Sequence, residues 1–329
     1  MNKLPKIQLK KRFLTAITLF FVLSIIGTAT AQEIQRTYTV INPAINHTLK
    51  PGEVTEGTTK VINQSNVPLT FKLNVQDYIV NDTKGTPNFL PPDTLNTKYS
   101  AAAWIGVTPS TFTLKPGATQ VINYYVQVPA DAAPGGHYAG IVYAPVSEVQ
   151  QEATGGTVNT QIGSLFYLNV SGPITEKAEV SIFNSGSFHE YGPVKILTQI
   201  KNMGDLHISP KATITVSGLL FKETVDLVSQ NIYPQTARDF ENSFGQTLML
   251  GRYKAELIGS YGQENNMPLV ATMYFWVFPW KLALIIVLVI VAVVLGTLYY
   301  KKHKKNGPKA PQEPKTEDKD RDEVEQKTS

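Results

Sequence analysis

One segment near the carboxyl terminus constrains this chain more than any other. Residues Trp280–Tyr300 read WKLALIIVLVIVAVVLGTLYY, without an acidic side chain. At about 1.5 Å per residue, a helix of this length matches the ~30 Å hydrocarbon core of a bilayer. Trp276 and Trp280 stand at one end and Tyr299 and Tyr300 at the other, as interfacial aromatic residues do. The sequence therefore predicts a single transmembrane helix at 279–300.

The amino terminus predicts export. Five basic residues precede the apolar run Phe13–Ile26, and Ala29 and Ala31 supply an Ala-x-Ala cleavage site. This arrangement predicts a secretory signal peptide over residues 1–31, with an uncleaved anchor helix as the alternative. The bulk of the chain, residues 32–278, is then exported.

The basic cluster KKHKK directly after the apolar segment predicts the orientation. Lysine-rich flanks stay on the cytoplasmic side of a membrane. We therefore expect a single-pass type I protein of the cell membrane whose extracellular part faces the cell wall. The tail at 301–329 is highly charged and punctuated by proline, so it is predicted to be a disordered cytoplasmic segment.

The charge of the chain follows from this topology. The whole chain has 30 basic and 26 acidic residues, a formal net charge of +4. The signal holds five of the basic residues, and the segment from Pro279 onward holds ten basic and seven acidic ones, which leaves 15 basic and 19 acidic residues in 32–278. The exported part is thus slightly acidic, which argues against nucleic-acid binding.

The chain has no cysteine. This excludes disulfides, thiol chemistry and zinc–thiolate sites. For an exported protein, it favours a bacterium with one membrane and a thick wall.

Alternating apolar residues predict antiparallel strands with one buried and one wet face. In LTFKLNVQ the apolar positions run from Leu69 to Val75, and in VINYYVQV the alternation continues from Ile122 to Val128. Turn residues recur about every 8–12 positions, as between the strands of a sandwich, and no long helical period appears in residues 32–278. The fold class is therefore all-β: two tandem immunoglobulin-like β-sandwiches followed by a single transmembrane helix.

Internal similarity predicts where the two sandwiches lie. The tetrapeptide LKPG occurs at Leu49–Gly52 and at Leu114–Gly117, but its flanks do not keep register, so we interpret it as one turn type used twice. Two other matches keep the same order in both halves. VINQSNVPL aligns with QIKNMGDLHI through Asn63 and Asn202, and PGGHYAGIVYA aligns with LGRYKAELIGS through Gly136/Gly251 and Tyr138/Tyr253. The predicted domains are 32–172 and 173–278, joined at SGPITEK.

From signal to basic tail, the chain resembles the WxL-interacting proteins of Gram-positive bacteria. The residues that carry the resemblance are NPAINHTLKPGEVTEGTTKVINQSNVPLTFKLNVQDY, AAAWIGVTPSTFTLKPG, VPADAAPGGHYAGIVY and, in the second half, VKILTQIKNMGDLHISPKATITV. The resemblance implies that the first domain binds peptidoglycan and that the second binds a partner protein. Surface proteins with WxL domains and host extracellular-matrix proteins are the partners it implies.

Enzymatic motifs are absent from the sequence. The chain has no G-x-S-x-G, H-E-x-x-H or Walker A pattern. Its exported histidines, such as His137 and His207, stand singly among turn residues and are expected to be ordinary surface residues. We predict no catalytic residue, no metal site and no cofactor.

The segment Asp77–Trp104 is the strongest candidate for recognition. It is long for a connection in a sandwich, and long loops on rigid scaffolds often carry binding. The candidate glycan-binding residues are Tyr78, Phe89, Tyr99 and Trp104. For each of them burial in the fold is the alternative, and for Trp104 the sequence AWIGV favours a strand position. In the second domain the candidate protein-binding residues are Tyr191, Tyr233 and Phe240.

These patterns predict a non-catalytic, membrane-anchored cell-surface scaffold that binds peptidoglycan and WxL-domain or host proteins and supports surface attachment. The alternative is a single-pass surface receptor that signals through its short tail. A surface hydrolase is a third possibility, which a turnover assay on wall fragments would reveal.

Overall fold

The computed structural model describes residues 37–91, 94, 97–146, 162–219 and 221–305. Within these residues the chain forms two β-sandwiches in series, each around its own apolar core, followed by one long helix. The predicted signal peptide and the predicted tail beyond residue 305 lie outside the described residues.

The first sandwich has ten strands and one short 3-10 helix among the described residues. The bounds are β1 Tyr38–Ile41, β2 Ala44–Leu49, β3 Val54–Asn63, β4 Leu69–Ile79, β5 Asn88–Phe89, the 3-10 helix Ala102–Trp104, β6 Ile105–Thr108, β7 Thr111–Leu114, β8 Thr119–Gln127, β9 Gly135–Val146 and β10 Ile162–Val170. One sheet has the order β1-β3-β8-β6. The other has the order β2-β10-β9-β4-β5, with β7 pairing with β4.

The second sandwich has eight strands in the described part of the chain, and the helix α1 follows it. The bounds are β11 Ala178–Asn184, β12 Phe188–His189, β13 Val194–Asn202, β14 Lys211–Ser217, β15 Lys222–Asp226, β16 Ala237–Phe244, β17 Gly251–Tyr261, β18 Met267–Val277 and α1 Trp280–Lys305. The sheet orders are β11-β13-β16 and β12-β18-β17-β14-β15.

The two sandwiches share the strand order of immunoglobulin-like domains. In each, the first strand pairs with the next long strand in one sheet, while a second short strand pairs in parallel with the last strand of the other sheet. Antiparallel pairs make up the rest. This arrangement, with the edge strand divided between two packed antiparallel sheets, confirms the predicted all-β immunoglobulin-like fold.

Both LKPG sequences form the same turn. Gly52 has φ +81° and Gly117 has φ +73°, values that glycine adopts without steric cost. In each turn the N–H after the glycine donates to the lysine carbonyl three residues back, from Glu53 to Lys50 and from Ala118 to Lys115, both at 3.0 Å. Proline followed by a left-handed glycine is the signature of a type II turn, so LKPG is a turn motif.

The matched asparagines hold equivalent turns in the two sandwiches. Asn63 ends β3 and Asn202 ends β13, and both side chains are fully buried. Each amide Nδ2 donates to two carbonyls, one of them four residues ahead: Val67 for Asn63 and Leu206 for Asn202. The predicted repeat is therefore present here as a repeated hydrogen-bond pattern.

The second predicted match falls on equivalent strands but is shifted by one residue. Gly135, with φ +118°, pairs with Val170 at the end of β10, and Gly251, with φ +112°, pairs with Val277 at the end of β18. Gly135 is thus the equivalent of Gly251, where the sequence alignment used Gly136. Because side chains alternate between the faces of a strand, this shift puts Tyr138 and Tyr253 on opposite faces.

Helix α1 starts almost directly after the last strand. Strand β18 ends at Val277, and the helix begins at Trp280. The helix has a mean hydropathy of 3.0 over its most apolar window, and none of that window is buried against the rest of the chain. It is the one helix in the described residues that is long and apolar enough to cross a membrane, and it could anchor the protein there.

Candidate functional site

The predicted recognition segment, Asp77–Trp104, divides into two parts with different surroundings. Its first part continues from β4 into β5, where Tyr78 pairs with Phe89. Its last part returns to the sandwich, where the Asp77 carboxylate accepts hydrogen bonds from the N–H groups of Ala101 and Ala102, both at 2.7 Å. Asp77 therefore holds both ends of the segment and fixes the start of the 3-10 helix.

The first part of the segment lies between the two sandwiches. Tyr78 is only 3% exposed, and its ring meets that of Tyr233 edge-on at 5.8 Å. The ring of Phe89 covers Gly140 and Gly163, where an added Cβ would approach within 2.7 and 3.1 Å of the ring. We call this contact the interdomain aromatic cluster. It comprises Tyr78, Val80, Tyr138, Tyr167 and Tyr233, with Phe89, Tyr99 and Leu165 packed against it.

This burial corrects the sequence interpretation of Tyr78 as a glycan contact and leaves Phe89 and Tyr99 partly covered by the same cluster. Tyr78 is enclosed by the second sandwich, and Phe89 and Tyr99 are half-buried against the same cluster. The correction extends to Tyr233, a candidate protein contact, which is 5% exposed and belongs to the same cluster. Tyr78 and Tyr233 therefore join the sandwiches and are closed to a ligand, and Phe89 and Tyr99 pack against them.

The hydroxyls of Tyr233, Tyr167 and Tyr138 in the cluster have hydrogen-bond partners, whereas the buried Tyr99 hydroxyl has none among the described residues. Tyr233 donates its hydroxyl hydrogen to the Tyr167 hydroxyl at 2.9 Å, and burial raises the pKa of Tyr233. The Tyr138 hydroxyl accepts the backbone N–H of His207 at 2.9 Å and lies 3.2 Å from His207 Nδ1. Burial lowers the pKa of His207 to about 4, which favours the neutral ring in this contact. The expectation that His207 is a surface residue is wrong.

Backbone contacts bring the sandwiches close together beside the cluster. The N–H of Gly136 donates to the Asp205 carbonyl at 2.9 Å. An added Cβ on Gly135 would lie 2.8 Å from that same carbonyl oxygen, so a side chain cannot be accommodated there. The Asp205 carboxylate accepts the Thr175 N–H and pairs with Lys98 at 3.0 Å, and these two contacts lower its pKa.

The last part of the segment forms a shallow cleft on the first sandwich. The cleft has a volume of about 240 Å³ and opens to solvent. Trp104, at the end of the 3-10 helix, is half-buried and lies against His137, with ring centroids 4.4 Å apart. We call this feature the Trp104 cleft. Its lining residues are Thr97, Lys98, Ser100, Ala101, Ala103, Trp104, Ala133 and His137.

His137 supports the floor of the Trp104 cleft. It is 4% exposed, which corrects the expectation of a surface histidine. Its Nδ1 lies 3.2 Å from the Ser100 carbonyl and its Nε2 lies 2.9 Å from the Ala133 carbonyl. The ring therefore lies between the two loops that border the cleft, with one nitrogen beside a carbonyl of each loop.

The Trp104 cleft combines an aromatic ring with polar groups at its rim. Lys98, Thr97 and Ser100 line the cleft together with Trp104, although the Lys98 ammonium is paired with Asp205 and the Ser100 hydroxyl accepts the Thr97 N–H. An aromatic face flanked by a few donors and acceptors suits a ligand that has both apolar C–H faces and hydroxyls. In the described part of the chain, no group of three or more His, Asp and Glu side chains is arranged to hold a metal ion.

The remaining candidates of the second sandwich occupy contrasting positions. Phe240 is 7% exposed and belongs to the core of its sandwich, which corrects its interpretation as a protein contact. Tyr191 is exposed and lies in the loop between β12 and β13. Of the three residues, Tyr191 alone is available to a partner.

Sequence reasoning did not find His137, Tyr138, Tyr167 or His207. The sequence does contain a signal for His137 and Tyr138. The run GGHYAGIVY lacks the polar alternation of VINYYVQV, and a strand that is apolar on both faces is covered on both faces. Nine consecutive residues of β9, from Gly135 to Tyr143, are indeed buried.

Comparisons with known proteins identify fold neighbours only. No family model and no curated relative matches the chain. Solved structures similar to it include the chaperone–tip adhesin complex of CFA/I fimbriae biogenesis, at 14% identity over 72% of this chain and 98% of that one, with a TM-score of 0.39. The class 5 fimbriae chaperone CfaA is 16% identical over 72% and 98%, with a TM-score of 0.38. The CupB2 chaperone of Pseudomonas aeruginosa is 12% identical over 73% and 100%, with a TM-score of 0.35. At such identities and scores, the fold assignment rests on the strand order described above.

Proposed function

We propose that this protein is a non-catalytic scaffold anchored in the cell membrane by α1, whose first sandwich binds peptidoglycan in the Trp104 cleft. The observation that carries this proposal is the solvent-open cleft that the half-buried Trp104 lines together with Lys98, Thr97 and Ser100. Sugar rings stack their C–H faces on aromatic rings and offer hydroxyls to neighbouring polar groups. In this proposal the two sandwiches face the cell wall, because KKHKK keeps the other end of α1 in the cytoplasm.

The size and openness of the cleft favour one unit of a polymer over a small free ligand. Pockets that enclose drug-sized molecules have volumes of roughly 300–1,000 Å³. The Trp104 cleft is smaller, about 240 Å³, and open on one side. A glycan chain lying across the surface would insert a single ring and leave the rest in solvent, which fits a retention role without turnover.

The packing between the sandwiches supports a scaffold role. The interdomain aromatic cluster and the contact of Gly136 with Asp205 tie the first sandwich to the second. Strand β18 of the second sandwich then leads into α1. Force on a glycan held in the cleft would pass through packed domains to the membrane, as a tether requires.

We further propose that the second sandwich engages a protein partner, with a WxL-domain surface protein and a host matrix protein as the two classes. Tyr191, next to Glu190 near the start of α1, is the exposed aromatic residue that supports this part of the proposal, so a partner bound there would contact the second sandwich beside the membrane. Binding of the full-length protein to a purified WxL-domain protein in a pull-down tests it. Loss of capture by the variant Tyr191→Ala supports the site, and full capture rejects Tyr191 as a contact.

Sedimentation with purified peptidoglycan tests the wall-binding site. Full-length protein in detergent micelles should pellet with the polymer, and Trp104→Ala should weaken the apparent affinity about tenfold, equivalent to ~1.4 kcal/mol. Tyr125→Ala is the matched control, because Tyr125 is an exposed aromatic residue on β8 of the same sandwich, away from the cleft.

Each outcome has a distinct meaning. If the unaltered protein stays in the supernatant, peptidoglycan binding is rejected. If Tyr125→Ala loses binding and Trp104→Ala keeps it, the glycan site lies around Tyr125 and not in the cleft. The melting temperature of Trp104→Ala, measured in parallel, separates lost binding from lost folding, since Trp104 also packs against the core.

A further inference from the structure

The end of the second sandwich that adjoins α1 exposes an unusual number of large apolar side chains. They come from four separate segments: the loop around β12, the turn between β14 and β15, the loop between β16 and β17, and the end of β18. We call this surface the apolar base. Its residues are Phe188, Leu219, Leu248, Leu250, Trp276 and Phe278, which are between 41% and 93% exposed.

Strand pairing puts these four segments at one end of the sandwich. Gly251, directly after Leu250, pairs with Val277, and Phe188 pairs with Trp276. Ser217, two residues before Leu219, pairs with Lys254 near the start of β17. The Gly192 N–H donates to the Thr247 carbonyl at 3.2 Å, which joins the loop after β12 to the loop that carries Leu248.

The opposite end of the same sandwich faces the first sandwich. Tyr233 and His207 belong there to the interdomain contacts, and Asn169 of β10 donates to Gln263 at 3.1 Å. The two ends therefore differ in what covers them. The far end packs against protein, while the apolar base has no protein cover within the described residues.

The apolar base is continuous with the start of α1. Phe278 lies two residues before Trp280, the first residue of the helix, and its N–H donates to the His189 carbonyl at 2.9 Å. Lys281 in the first turn of α1 pairs with Glu190 at 2.7 Å, which ties the helix to the loop that carries Phe188. The base is thus held at the level where the helix enters the membrane.

We propose that the apolar base rests in the interfacial layer of the lipid bilayer, so that the second sandwich contacts the membrane directly as well as through α1. The inference rests on the membrane anchor of the proposed function. Soluble surfaces rarely gather large apolar side chains into one patch, and aromatic and leucine side chains are stable at the boundary of headgroups and acyl chains. Arg252, whose guanidinium lies 4.4 Å from the Tyr274 ring centroid, adds a cation near the same end for lipid phosphates.

This seating would fix the direction in which the protein projects from the membrane. A single helix joined to a domain through a free linker leaves the domain able to tilt in any direction. Here the contacts of Phe278 and Lys281 and the seated base give several points of attachment. The first sandwich, packed on the far end of the second, would then be held away from the bilayer.

The proposal can be tested by labelling single introduced cysteines, because the natural sequence contains no other cysteine that a thiol-reactive label could modify. Single variants Leu248→Cys and Leu219→Cys of the full-length chain, labelled with an environment-sensitive fluorophore, report on the base in proteoliposomes whose headgroups carry a nitroxide quencher. Ile258→Cys is the matched control. Ile258 is 60% exposed, close to the 68% of Leu248, but lies seven residues along β17 from Gly251, about 23 Å at ~3.3 Å per residue. Leu288→Cys, in the middle of α1, reports on insertion of the anchor.

We expect the labels at Leu248 and Leu219 to be quenched at least about threefold more strongly than the label at Ile258, because only the base reaches the headgroups. Equal quenching at all three positions overturns the proposal. A shifted emission at Leu248 without quenching by lipid nitroxide means that protein covers the base, and also overturns it. If the Leu288 label is not reached by acyl-chain nitroxides, the anchor itself is absent and both proposals fall. If the Leu288 label is quenched and the labels on the apolar base are not, contact of the base with the bilayer is rejected while the membrane anchor stands.

Discussion

The two sandwiches have the same strand order but use their loops for different purposes. In the first, the connection after β4 extends through Asp77–Trp104, contributes to the interdomain aromatic cluster and ends at the Trp104 cleft. In the second, β14 is followed by a tight turn and β15, and this turn carries the exposed Leu219 at the apolar base. The strands are equivalent, so the difference shows that the loops at the two ends decide what each domain contacts.

The interior of the two sandwiches is more alike than their surfaces. Both contain the buried asparagine that closes a turn with two amide hydrogen bonds. They differ in one detail. Beside Asn63, the single hydroxyl hydrogen of Ser65 is within reach of both Asn63 Oδ1 and, at 2.7 Å, the Val67 carbonyl, whereas the equivalent residue near Asn202 is Gly204, which has no side chain. If the Asn63 side chain is removed, the Ser65 hydroxyl can donate to the Val67 carbonyl, and the second turn has no equivalent donor.

The largest effect is expected from Asn202→Ala. It removes the donor from the Leu206 and Ile232 carbonyls in a fully buried site, which should cost about 3 kcal/mol of the free energy of unfolding. Asn63→Ala should cost about 1 kcal/mol less, because Ser65 still donates to Val67. Hydrogen exchange of the full-length protein, read by mass spectrometry, reports on each sandwich separately.

The control for this pair is Asn123→Ala. Asn123 is exposed on β8, so its replacement should change the free energy of unfolding by less than about 0.5 kcal/mol. Equal losses for Asn63→Ala and Asn202→Ala would show that the Ser65 hydroxyl does not compensate.

Acid pH is expected to lower the free energy of unfolding by an intermediate amount, through His207 of the second sandwich. Burial lowers the pKa of His207 to about 4, whereas an unfolded histidine has a pKa near 6.5. The unfolded state therefore binds the proton first, so the free energy of unfolding should fall as pH drops from about 6.5 toward 4, by about 2 kcal/mol at pH 5. Denaturant unfolding at pH 8 and pH 5 measures the loss.

The variant His207→Gln isolates this histidine from the carboxylates that also titrate on acidification. The glutamine variant should lose about 2 kcal/mol less than the unaltered protein between pH 8 and pH 5. The matching turn of the first sandwich holds Pro68 after Val67 and has no group that titrates in this range. If both proteins lose the same stability, His207 does not carry the acid sensitivity of the interface.

The smallest effects are expected from two Tyr→Phe substitutions, one in the interdomain aromatic cluster and one in the core of the second sandwich. Tyr233→Phe removes the hydroxyl that donates to Tyr167 and should cost about 1 kcal/mol, because the Tyr167 oxygen stays buried without that donor. Tyr253→Phe removes a hydroxyl that makes longer contacts, 3.2 and 3.3 Å, to the backbone of Leu250 and should cost less.

Limited proteolysis of the two variants shows where stability is lost. The segment 171–177 between the sandwiches should be cut faster in Tyr233→Phe, and no faster than normal in Tyr253→Phe. Faster cutting in both would mean that the cluster and the core of the second sandwich unfold as one unit.

The sequence predicted the strands well because their signals are local. Alternation identified β4 and β8, and proline–glycine identified the LKPG turns, since each depends only on neighbouring residues along the chain. Aligning the asparagines also succeeded, because a buried amide that closes a turn has fixed spacing to the carbonyls it serves. The Gly-x-Tyr alignment chose the right strands but the wrong register, because only Gly136 fits Gly-x-Tyr while the structural equivalent of Gly251 is the adjacent Gly135.

The candidate site was predicted less well. The sequence selected the correct segment, and Trp104 does line a cleft, but Tyr78, Phe89, Tyr99 and Tyr233 pack between the sandwiches. Tyrosine suits both a ligand surface and a domain interface, since its ring is apolar and its hydroxyl is polar. Composition therefore cannot distinguish the two roles.

The sequence by itself determined the all-β class, the two tandem sandwiches, the turns and the apolar helix, because hydrophobic period and turn chemistry act over a few residues. The tertiary structure decided which aromatic side chains are covered. Residues 155 positions apart, Tyr78 and Tyr233, share one cluster because the end of one sandwich packs on the other, a contact that has no counterpart in local sequence. The same packing leaves the Trp104 cleft and the apolar base uncovered, since each lies outside the area that the two domains bury between them.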